Sequence, residues 1–190
     1  MKGGARRAVL AVAGLGLLAL AGSLAGGSGA SAGRSLLGPL GPPLAQAQFV
    51  RARLARDAGL EGRSLALLHA GLDLDPGSLS GRLALANHMG LTLSSVEGGR
   101  SGVERLAWLQ EALAVLEEGP EEHAAERAFH AGVLLMSHAE TDPDLPWAGG
   151  TPALWRAAAE RFHHAEGLGH PEGGVAEAFV LRQLDEATRE

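Results

Sequence analysis

Histidine offers the most chemistry in this chain, which carries eight of them and no cysteine. His123, His130 and His138 lie seven and eight residues apart, so a helix would set them on roughly one face. Glu160-Arg-Phe-His163 has the Glu-x-x-His form of a carboxylate-bridged di-iron ligand pair. A full site of that kind needs two such pairs and two more glutamates from other helices, and only one pair is present. His163-His164 with His170 is a candidate surface zinc site, weakened because adjacent residues on a helix point about 100° apart. The plainer reading places these imidazoles as solvated or half-buried groups on helix surfaces, so no metal and no cofactor is expected.

Without cysteine, thiolate metal sites, thiol catalysis and a lipidated N-terminal cysteine are excluded, and an exported domain must stand on its hydrophobic core. No His-Glu-x-x-His motif or nucleophile elbow occurs, and Gly98-Gly-Arg-Ser-Gly102 lacks the lysine of a phosphate-binding loop. No catalytic residue can be named, and the chain is not expected to be an enzyme. An enzyme would need the loop around Trp147 to close over convergent polar side chains.

Two further groups suit binding. Trp147, between Pro146 and Gly149, is either an exposed aromatic anchor or a ring folded back over the last hydrophobic layer. Arg51, Arg53, Arg56 and Arg63 cluster near one another in sequence; they form a solvated face or, in a groove, would hold a partner's carboxylates. After Gly33 the chain has 13 basic against 22 acidic residues, which disfavours nucleic acid as a partner.

The elements that must position these residues are helices. Aromatics make up 4% of the chain, tyrosine is absent, and Ala, Leu and Gly dominate, which suits thin, closely packed helices. From Leu44, Ala47, Val50, Leu54 and Ala58 form one expected inward face, and Gly59 ends the helix. Ser64 to Asp73 follows, with Leu65, Leu68 and Leu72 on one face and Asp75-Pro76 as its stop. A third helix over about 78–93 turns Leu79, Leu83, Ala86 and Met89 inward and Arg82 outward. Ser101-Gly-Val-Glu104 is a capping box opening a fourth helix striped by Val103, Leu106, Leu109, Leu113 and Leu116. A fifth begins near Pro120 with Ala125, Ala128, Phe129, Gly132, Leu135, Met136 and Ala139 inward. Two prolines and paired glycines make 141–151 a loop. Thr151 and Pro152 suit the N-cap and first turn of a sixth helix, and a seventh, from about Gly174, carries Ala176, Val180, Leu184 and Ala187 on one face.

Ala52, Gly59, Ser64, Leu68, Gly71, Leu72, Leu74 and Pro76 resemble one tetratricopeptide repeat, in which small residues let two helices touch. The pattern departs from the family near Gln48 and Ala55, where a large aromatic is usual. Ala158, Phe162 and Ala165 repeat its small, large, small spacing, and 159–170 also resembles the related Sel1-like repeats. The resemblance implies an all-α stack of antiparallel helical hairpins whose first helices line a groove for a peptide or protein. The residues it places there are Gln48, Arg51, Ala55, Arg82 and His88, with Trp147 as a separate anchor.

Lys2, Arg6 and Arg7 precede an apolar run from Ala8 to Leu20, the pattern of a signal peptide or an N-terminal membrane anchor. Basic residues before the run keep that end in the cytoplasm. The expected organisation is a targeting segment and flexible tract over 1–33, a Gly/Pro linker over 34–43 and a helical domain over 44–190. The function expected is that of a protein–protein interaction scaffold of a bacterial-type cell envelope, exported to the periplasm or anchored in the inner membrane. The alternatives are an accessory structural subunit of a membrane complex or a histidine-based metal- or haem-binding bundle.

Overall fold

A computed structural model describes residues 38–188, and within them the chain is all-helical with no strand. The expected targeting segment and the first part of the linker lie outside the described residues. Seven α-helices follow one another: α1 (Gly41–Asp57), α2 (Glu61–Leu74), α3 (Leu79–Asn87), α4 (Gly102–Glu117), α5 (Ala124–Thr141), α6 (Gly150–Gly167) and α7 (Gly173–Ala187). A π-helical turn, His88–Leu93, extends α3. No helix among the described residues is long and apolar enough to cross a membrane.

Each helix packs against the next, α1 also touches α3, and α3 touches α5. Helix α1 opens earlier than Leu44 because Pro42 and Pro43 occupy its first turn, where a missing N–H costs nothing. Just beyond its last residue, Asp57, the φ of +72° at Gly59 lets Leu60 N–H reach Ala55 O at 2.8 Å and turns the chain back into α2. The capping box of α4 is present as expected: the Ser101 hydroxyl accepts from Glu104 N–H at 3.3 Å and the Glu104 carboxylate accepts from Ser101 N–H at 2.9 Å. The Ser101 hydroxyl also donates to that carboxylate at 2.8 Å, and this bond, followed by the one from Ser101 N–H, holds the Glu104 carboxyl below the usual carboxylate range.

Leucine and alanine make most of the core, with Leu85, Leu109, Leu134 and Leu154 at its centre and Phe162 fully enclosed. Ala158 and Ala165 are buried beside Phe162, as their spacing leads one to expect. Gly71 and Gly81 leave room for the Phe49 ring, which a Cβ at either position would overlap, so one aromatic joins α1 to α2 and α3. Sequence marks Gly71 as a point of close helix approach but does not place Phe49 there.

Several faces depart from expectation. On α1 the buried positions are Ala45, Ala52 and Ala55, while Val50 and Leu54, expected inward, are 53% and 63% exposed. Close helix contact needs small side chains, and the alanine face supplies it where the larger residues would hold the helices apart. On α4, Val103 is 72% exposed, whereas Leu109, Leu113 and Leu116 are buried. The N-cap of α6 is Gly149, at φ +91°, instead of Thr151. Gly149 and Gly150 take the positive φ of the turn that leads into the helix, and Thr151, inside its first turn, donates its hydroxyl to Pro143 O at 3.4 Å instead of capping.

Candidate functional site

Three of the five residues assigned to a groove face inward. Ala55 is part of the α1 contact face. Arg82 is 8% exposed, because its guanidinium donates to Val115 O at 2.9 Å, near the end of α4, and to Pro76 O at 3.2 Å. Arg127 donates to Glu118 O beside it, so two arginines meet the unpaired carbonyls and negative dipole end of α4. His88 is enclosed, with its Nε2 3.3 Å from Glu61 O. Only Gln48 and Arg51 remain at the surface of α1, linked by a 3.1 Å hydrogen bond from guanidinium to amide oxygen. Trp147 is half-buried and packs on the core, so its ring is an internal contact.

The loop after α5 is a plug. Asp142 at its start takes a bidentate pair of hydrogen bonds from Arg105 at 2.8 and 3.0 Å, Leu145 is buried, and Trp147 lies over the core. Nearby, the Ser94 hydroxyl lies 2.9 Å from His138 Nε2, a distance that suggests a nucleophile and its base. The geometry assigns them another task. Ser94 donates its one proton to Gly90 O at 2.5 Å, and His138 Nε2 stands 2.8 Å from that same oxygen. Two acceptors would repel at that separation, so Nε2 carries the hydrogen and both side chains serve a carbonyl of the π-helical turn.

The histidines of α5 do not converge. His138 is used in the core, His130 Nδ1 stands 3.6 Å from Glu126, and His123 lies in the 3-10 turn before the helix. Ligand atoms of His163, Glu166 and Glu177 lie within 4.8 Å of one another, a grouping that includes neither Glu160 nor His164 nor His170. His163 Nδ1 already meets Glu177 Oε2 at 3.1 Å, which accounts for the proximity without an ion. His170 instead stacks on Phe129, ring centres 4.0 Å apart, and meets Glu126 at 3.1 Å.

A further candidate for binding is an exposed apolar face that the sequence stripes passed over. Helix α7 buries Val180 and leans Ala176 and Leu184 on the core. Its other side leaves Val175 76% and Phe179 43% exposed beside a shallow depression of about 580 Å³, edged by Pro171, Glu166 and Arg182. Apolar residues at 175 and 179, one helical turn apart and off the inward stripe, are the signal that identifies it. Comparison with known proteins adds no assignment: no family model, curated protein or solved structure matches this chain.

Proposed function

We propose that this chain is an interaction scaffold of the cell envelope, built as a tetratricopeptide-like stack of helical hairpins, whose α7 end receives an amphipathic helix of a partner polypeptide. The contacts of α1 with α3 and of α3 with α5, alongside those between successive helices, support a stack in which the first helices of hairpins adjoin. The observation that carries the reading is the exposed apolar pair Val175 and Phe179 on the side of α7 turned away from the core. Glu166 and Arg182 at its edge supply charges of both signs to fix the register of an incoming helix. The mechanism is binding alone.

A photo-crosslinking amino acid at position 175 or 179 in the native host, with Glu111 on exposed α4 as control, tests this. One defined polypeptide should be captured from 175 and 179, not from 111, and be lost in Phe179→Asp while helical circular dichroism is unchanged. Equal capture at all three positions, or none at 175 and 179, would overturn the proposal.

A further inference from the structure

The outer side of α1 poses a separate question. Leu40, Leu44, Val50, Leu54 and Leu60 leave between 43% and 63% of their surface in water. At about 100° per residue, Ala47, Val50, Leu54 and Ala58 form one stripe opposite the buried alanines, with Arg51 and Arg53 flanking it on either side. The charge is segregated as well. Residues 38–63 hold four arginines and two acids, whereas 64–188 hold seven arginines and nineteen acids. Both early acids are already paired, Asp57 with Arg56 at 3.8 Å and Glu61 with Arg100 at 2.6 Å. Among the described residues no ion pair involves Arg51, Arg53 or Arg63.

We infer that this face of α1 rests on an anionic lipid bilayer, with the apolar stripe in the headgroup boundary and the arginines against lipid phosphates. An apolar face bordered by arginines on an otherwise acidic domain is complementary to such a surface and repels it elsewhere. Chain order points the same way: the twenty residues between Leu20 and Gly41 reach at most about 70 Å even fully extended, so an apolar run held in a membrane keeps α1 close to that membrane. Tethering lets a weakly binding face dock, because the second contact becomes intramolecular. The inference does not depend on a partner at α7.

The absence of cysteine makes the test direct. An environment-sensitive fluorophore is placed on the full chain at Val50→Cys or Leu54→Cys, and at Val103→Cys or Val175→Cys as controls. The chain is reconstituted in vesicles of phosphatidylcholine alone or with phosphatidylglycerol, and a water-soluble quencher is added. In anionic vesicles quenching at 50 and 54 should be slower by about threefold or more than at the controls, and Arg51→Glu with Arg53→Glu should abolish the protection. Quenching equal to the controls overturns the inference. So does protection that is the same in both vesicle types and indifferent to charge reversal. Protection in lipid-free detergent that rises with protein concentration also overturns it, and assigns the face to a second copy of the chain.

Discussion

The hairpins α1–α2 and α5–α6 close by the same device used in opposite senses. In the first, Phe49 of the leading helix enters the gap left by Gly71 and by Gly81 of α3; in the other, Phe162 of the second helix enters the gap at Gly132 of the first. Both end a helix on a positive-φ glycine: Leu60 N–H reaches Ala55 O beyond Gly59, and His170 N–H reaches Ala165 O beyond Gly169, each at 2.8 Å. Their surroundings differ. Phe162 is fully enclosed and touches Phe129, ring centres 5.2 Å apart, while Phe49 is half-buried. On the outside, α6 shows Arg156, Glu160, His163 and His164, whereas α1 shows Val50 and Leu54. Closing a hairpin thus requires only the small-residue face and its aromatic. The apolar residues outside α1 are not needed for that contact, which leaves them available for an external surface.

The sharpest way to break this comparison is to remove the two rings separately. Phe162→Ala should cost about 3–5 kcal/mol, because a fully enclosed ring leaves a cavity that the helices cannot collapse. Phe49→Ala should cost roughly half of that, since part of its ring is already in water. Urea unfolding followed by circular dichroism measures both, and equal losses would show that the two joints are energetically alike. Next in size is the tie that fixes the loop after α5. Arg105→Met should destabilise by about 3 kcal/mol by stranding the Asp142 carboxylate in the interior, and Arg105→Met with Asp142→Leu should recover most of the loss. If the double variant is no more stable than the single one, the cost lies in lost packing of the arginine stem and not in the stranded charge.

Much of the helix order is legible in the sequence because capping residues and breakers are local signals. Ser101 and Glu104, Gly59 and Pro76 mark their ends with no knowledge of what lies across the interface. Which face turns inward is less legible where alanine and glycine do the packing. On α1, a stripe of Val50 and Leu54 is more hydrophobic than one of Ala45, Ala52 and Ala55, yet close approach selects the smaller side chains. Arg82 fails for a related reason: its polarity suggests solvent, but the unpaired carbonyls at the end of α4, distant in sequence, accept its protons. The repeat-like pattern singles out Gly71, which lies in the Phe49 joint, but it also assigns Ala55, Arg82 and His88 to a groove, and the fold buries all three.

The smallest effect concerns His88, where the first hairpin meets the π-helical turn. Burial pushes its pKa below that of a free imidazole, opposed by the Glu61 carbonyl and assisted by Arg56 and Arg100. With Nε2–H given to Glu61 O, Nδ1 is buried without a partner, so a second proton would place a charge where nothing accepts it. The unfolded chain binds that proton more readily than the folded one, so stability from this group is present in full above about pH 6.5 and falls as pH drops toward the lowered folded value. His88→Gln keeps a neutral donor near Glu61 O and should flatten the dependence of unfolding free energy on pH between 7.5 and 5.5, the range the measurement would cover. An unchanged slope in that variant would move the acid sensitivity to another group and leave His88 with a packing role only.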